Sequence, residues 1–165
     1  MFLDTFPLTT FDVSNEETIF VRDIIRGVRI DPVFKENPFN FFVYQAKDNE
    51  TPELISHMFY GTTFYHWVIM AFNDKFDPYN DFPKSDEIIR KMTLNKYGSL
   101  TAVHHYENSE GEWVDEFTIE AERVIVTNYE YMSRLNEKKR TVKILRTELL
   151  AEFIQLYQGA MTNGI

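Results

Sequence analysis

Apolar positions recur with a helical period most clearly at Phe64, Trp67, Val68, Ala71 and Phe72, which fall at i, i+3, i+4, i+7 and i+8. Just upstream, Leu54, Ile55 and Met58 share one face of a shorter helix. Thr51 is placed to cap that helix, Pro52 to occupy its first turn, Glu53 to face the positive end of its dipole, and Gly61 to end it. From Phe39 the run FNFFVYQA has the aromatic and β-branched content of a strand, and Lys47-Asp48-Asn49-Glu50 supplies the turn that stops it. Beyond the loop from Asn73 to Lys84, Glu87 to Met92 reads as a second short strand. The predicted order is strand, helix, helix, strand. Its expected core is Leu54, Ile55, Met58, Phe64, Trp67, Val68 and Phe72, an aromatic and aliphatic stripe suited to burial rather than to a ligand platform.

The flanks are less regular. Met1 to Val13 sets Phe2, Phe6 and Phe11 around Pro7 with no sustained period and is expected to be an extended arm. Asn15 to Ile30 mixes helical spacing with β-branched residues around Gly27, so helix and strand both stay open, and Asp31-Pro32 and Asn37-Pro38 bracket a polar connector. After Tyr97-Gly98, Ala102 to Tyr106 and Glu112 to Phe117 read as two strands of a hairpin turning at Asn108-Ser109-Glu110-Gly111, with Gly111 supplying a positive φ. Asn128 to Leu145 is polar with few core anchors until Val142 and Ile144 alternate as a strand would. Thr147 can cap a last helix with Leu149, Leu150, Phe153, Ile154 and Tyr157 on one face, and Met161 to Ile165 is expected to fray. The chain is therefore read as α+β in three parts: an arm and connector over 1–38, a small βααβ core over 39–98, and a hairpin with a strand-helix extension over 99–165.

Composition narrows the function. The 165 residues can bury a core without staples, and with no cysteine there is neither a disulfide framework nor a thiolate chemistry to consider. A formal charge of -9 disfavours a nucleic-acid backbone or an anionic membrane as partner. The opening MFLDTFPLTTFD lacks a basic region and a continuous apolar stretch, so an unexported product without a membrane span is expected. An aromatic content of 16%, much of it outside the central helices, suits side chains held against a partner.

Candidate chemistry is sparse. The histidines are His57, His66, His104 and His105, and strand alternation would send the adjacent pair to opposite sides, where they could not chelate one ion. The run NDKFDPYND offers Asp74, Asp77 and Asp81 but not the order or the closing Glu of a calcium loop, so it reads as turn chemistry. No HExxH, GxSxG, P-loop or GxGxxG occurs, and Glu137-Lys138-Lys139-Arg140 reads as a solvated face. No catalytic residue, metal-ligand set or cofactor site is expected. Abundant carboxylates keep a small cell-wall hydrolase in view only as a third class.

Two resemblances follow from the residues quoted. The order from Phe41 to Met92, with DNETPELI opening the first helix and YG closing it, resembles a LysM domain. That likeness implies a βααβ fold and, as an alternative function, a peptidoglycan-binding module whose groove lies between the loops Asp48 to Thr51 and Asn73 to Asp81. The sequence has Asp48-Asn49-Glu50 where LysM modules carry Gly-Asp-Thr, and Asp81 to Ser85 where they carry Pro-Gly. Nearly the whole chain is similar to the baseplate wedge protein 53 family of contractile-tailed bacteriophages. The blocks that carry this are ETPELISHMFYGTTFYHWVIMAFNDKFDPYNDFP, KYG, VHHYENSEGEW and LNEKKRTVKIL at consistent spacing. The resemblance implies a non-enzymatic virion subunit with a LysM-like core, assembled in the host cytoplasm in several copies with other wedge proteins. For such a subunit the interface candidates read from the residues are Phe2, Phe6 and Phe11 in the arm, Tyr106 and Trp113 in the hairpin, and Phe153 and Tyr157 in the last helix.

Overall fold

A computed structural model describes residues 8–14, 17–23, 30–118 and 123–163. Phe2 and Phe6 lie outside the described residues. The fold is α+β, with helices interleaved among small antiparallel sheets. The described residues divide into two compact units, and neither is a continuous piece of chain. One takes residues up to Tyr44, Thr51–Pro78 and those from Val142 onward; the other takes Gln45–Glu50 and those between Tyr79 and Thr141.

In the first unit the arm is not featureless. Strands β1 (Leu8–Ser14) and β2 (Glu17–Arg22) pair antiparallel with an irregularity between Asp12 and Ser14, which resolves the open helix-or-strand reading as strand over Glu17–Arg22, while Ile24, Ile25, Gly27 and Val28 lie outside the described residues. The connector contains a short helix α1 (Pro32–Glu36) that starts where the Asp31 side chain accepts from the Val33 amide, 2.9 Å away. Strand β3 (Phe41–Gln45) leads to α2 (Pro52–Tyr60), capped by Thr51 and closed by Gly61 at φ +72°. A 3₁₀ turn at Thr63–Tyr65 then feeds α3 (His66–Phe72).

The strand that closes this set is not the expected one. Glu87 to Met92 lies within a helix, α4 (Asp86–Tyr97), and β3 pairs instead with β7 (Thr141–Leu145). Bonds from the Ala46 amide to the Arg140 carbonyl and from the Arg146 amide to the Asn40 carbonyl bracket the ladder and run its strands in opposite directions. Helix α4 forms because its charges pair one turn apart, Asp86 with Arg90 at 2.7 Å and Glu87 with Lys91 at 2.6 Å, and Gly98 ends it at φ +73°.

The core of this unit gathers Trp67, Val68 and Phe72 of α3, Leu145 at the end of β7, and Leu150 and Phe153 of α6 (Leu150–Asn163). The Phe153 ring stacks on Phe34 and meets Phe72 edge-on at 5.9 Å, and the Tyr60 hydroxyl donates to the Leu145 carbonyl at 3.1 Å. Burial pushes the Tyr60 phenol pKa far up. Helix α6 follows a 3₁₀ turn at Thr147–Leu149, so Thr147 begins that turn rather than capping the helix, and Met161 is buried instead of frayed. Leu54, Met58 and Phe64, expected inside, are half exposed. The buried positions of α2 are Pro52, Ile55 and Ser56, so its inner face is rotated away from Leu54 and Met58.

The second unit packs α4 against α5 (Asn128–Glu137), with a three-stranded antiparallel sheet ordered β5 (Trp113–Val114), β4 (Val103–Glu107), β6 (Val124–Thr127). The segment read as polar with few anchors thus becomes α5. Its start is a capping box in which Thr127 and Glu130 exchange side-chain and backbone bonds. Buried Asn136 clamps the backbone of Lys84, accepting from its amide at 2.8 Å and donating to its carbonyl at 2.9 Å. Arg140, expected in a solvated face, reaches Glu137 at 2.6 Å and Asp48 at 2.5 Å.

Candidate functional site

Large apolar side chains remain exposed on the β1–β2 ribbon: Leu8 and Phe11 at 60%, Val13 at 55%, Ile19 at 40% and Phe20 at 74%. The register sorts them onto two faces, because cross-strand partners share a face and successive residues alternate. Leu8 with Arg22, Thr10 with Phe20 and Asp12 with Thr18 form one; Thr9 with Val21 and Phe11 with Ile19 form the other. Of these the sequence singled out Phe11 alone. The signal for Ile19 and Phe20 was their β-branched and aromatic neighbourhood, which became legible as a surface only once the segment was known to pair.

The β4–β5 hairpin carries the second patch. Trp113 is 65% exposed and Phe117, beyond the end of β5, more so; on β6 the exposed Val124 is paired with Glu107, as Trp113 is, and shares its face, while the exposed Ile125 is paired with Tyr106 on the other face. Tyr106, also expected at an interface, is half buried under the Arg123 guanidinium, 4.7 Å from its ring centre. Phe153 and Tyr157 are placed differently from expectation. Phe153 is fully buried, and Tyr157 lies half buried 5.0 Å from the Trp67 ring, so this face of α6 is turned into the molecule.

Behind Trp113 stands a histidine cluster that strand alternation does not predict. The register of β4 against β6 shifts between Val103 and His105, and this irregularity lets the two adjacent rings meet instead of diverging. Their Nδ1 atoms are 2.8 Å apart. His105 stacks on Trp113 at 4.0 Å, His104 stacks on Tyr131 at 3.9 Å, and Tyr97 meets His104 edge-on. The bonds form a chain: the Tyr97 hydroxyl contacts His104 Nε2 at 3.3 Å, His105 Nε2 contacts Glu107 Oε1 at 2.9 Å, and Arg134 Nη1 donates to Glu107 Oε2 at 2.6 Å. With Glu107 ionised the network assigns the tautomers. For neutral rings, His105 donates from Nε2 and accepts the proton of His104 Nδ1 at its own Nδ1, and His104 Nε2 accepts from Tyr97. Arg134 first, then His105, holds the Glu107 carboxyl below the usual carboxylate range; burial, with His105 and Lys96 adding to it, pushes His104 down.

The polar groups of the cleft in the first unit are mutually engaged. A cleft of about 280 Å³ lies beside Ile30, Phe72, Asn73 and Lys143, with Lys35 and Asp74 at its edge. There Lys35 pairs with Asp74, Lys143 Nζ donates to the Lys35 carbonyl at 3.3 Å, and the Asn73 side chain bonds both backbone groups of Lys143 at 2.8 Å. Asp48, at the loop that a glycan groove would use, is held by Arg140. Among the described residues no three His, Asp or Glu converge where an ion could sit, and no helix is long and apolar enough to cross a membrane.

A family model described as base plate wedge protein 53 matches residues 2–123. The baseplate wedge protein gp53 of Enterobacteria phage T4 is 26% identical over 165 aligned positions, which cover 85% of this chain and 83% of that protein.

Proposed function

This chain belongs to the base plate wedge protein 53 family, and from that premise we propose that it is a structural subunit of a bacteriophage tail baseplate that joins wedge components and links neighbouring wedges around the hub. It works without catalysis, in a hetero-oligomer with other wedge proteins, and reaches the tail by assembly in the host cytoplasm. The strand-helix-helix-strand unit of β3, α2, α3 and β7 serves in this reading as a LysM-like scaffold rather than as a glycan reader.

The observation that carries the reading is the distribution of exposed apolar side chains. Leu8, Phe11 and Phe20 stand on one hairpin and Trp113 and Phe117 on or beside another, whereas the polar groups of the cleft are bonded to one another. Large apolar side chains left exposed on separate elements suit a chain that binds neighbours, and several modest contacts on one chain gain avidity together. A tagged chain co-expressed with the other wedge proteins of its phage is expected to capture them and to stay in solution when insoluble peptidoglycan is pelleted. Pelleting with peptidoglycan while capturing no wedge protein would overturn the assignment.

A further inference from the structure

The β1–β2 ribbon carries exposed large apolar side chains on both faces, one of them shared with Thr10, Asp12, Thr18 and Arg22. Leu8 and Phe20 stand on one and Phe11, Ile19 and Val21 on the other, and among the described residues no third strand joins the sheet. A two-stranded ribbon is marginal in water by itself and gains stability when a face is covered. One flat surface could cover only one of these faces. The occupant must therefore present two walls, or a groove, into which the ribbon inserts.

We propose that the β1–β2 ribbon inserts between two apolar walls of another wedge protein, with Phe11 against one wall and Phe20 against the other. This rests on the assembly reading above and adds the mode of contact. A second copy of this chain is the poorer occupant on two grounds. Face-to-face pairing of two ribbons leaves either Phe11 or Phe20 in water, and each chain would bring a formal charge of -9 toward the other. The same charge selects a partner whose groove is rimmed by basic side chains.

The test uses the full-length chain co-expressed with the other wedge proteins of the same baseplate and sedimented through a density gradient, beside the chain alone. Phe11→Asp and Phe20→Asp are each expected to lower co-sedimentation at least about tenfold, as removal of one anchoring aromatic does, with circular dichroism and the thermal midpoint unchanged because both side chains are exposed. Wild-type co-sedimentation of either variant would overturn the two-walled insertion while leaving the assembly reading intact. A dimer of the isolated chain that Phe11→Asp abolishes would replace the partner with a second copy. A wild-type chain that joins no wedge complex would overturn the assembly reading and this inference with it.

Discussion

Burial holds the His104 imidazole below its ordinary pKa. The pair of Nδ1 atoms at 2.8 Å has room for one proton, His104 Nε2 faces the Tyr97 hydroxyl, and the Tyr131 ring covers one side of the imidazole. Lys96 adds like charge, while Glu107, the carboxylate that would favour an imidazolium, is engaged by His105 and Arg134 instead. A base whose folded pKa lies below its unfolded value binds fewer protons when folded, so stability rises with pH across that interval. Stability is therefore undiminished above the unfolded histidine value of about 6.5 and falls as pH drops below it, levelling off below the folded value. Glu107, Glu130, Asp86 and Glu87, whose folded pKa values are depressed, add their losses only at lower pH, below the ordinary carboxylate range. Thermal midpoints between pH 7.5 and 5.5 should fall for the wild type and fall less for His104→Gln; equal slopes would contradict this account.

Among elements, the ends of helices were the most legible in the sequence and the identity of α4 the least. Thr51 and Gly61 act through contacts within a few residues, so their types announced where a chain of hydrogen bonds begins and ends. The segment from Glu87 looked like a strand because Ile88 and Ile89 are adjacent and β-branched; the pairs Asp86 with Arg90 and Glu87 with Lys91 were the overlooked helical signal. Joining elements is different work and falls to single polar side chains. Asn73, at the end of α3, accepts from the Lys143 amide and donates to the Lys143 and Ile69 carbonyls, tying the helix to β7. Asn73→Ala leaves those strand groups without that partner and should cost about 2 kcal/mol in chemical denaturation. A loss under a few tenths of a kilocalorie per mole would show that water replaces the amide at no cost.

For the whole molecule, the decisive fact is that the unit containing α2 and α3 is completed from the far end of the chain. Leu145, Leu150 and Phe153 supply part of its core, and β7 supplies the partner of β3. A fragment spanning 39–98, which sequence reading set apart as the core, lacks all of these and should show collapsed amide dispersion in a proton–nitrogen spectrum. A dispersed spectrum would mean that the segment carries its own core. In the full chain, Phe153→Ala should cost about 3–5 kcal/mol, the usual loss for a large buried aromatic. Measuring that variant beside Phe11→Asp separates a core role from a surface role for residues that sequence reading grouped together.

The sequence by itself determined what depends on near neighbours or on composition: the capped helix α2, the helical stripe leading to Phe72, the turn at Gly111, the absence of cysteine chemistry, and the ordered blocks shared with a phage baseplate family. Tertiary structure alone decided that β7 closes onto β3, that an irregularity in β4 turns His104 and His105 toward each other, that Met161 and Phe153 are buried, and that Leu54 and Met58 are not. The reason is common to all four. Pairing between residues distant along the chain, and the side of an element that ends up covered, depend on which surfaces meet after the elements exist, and local periodicity carries no record of that meeting.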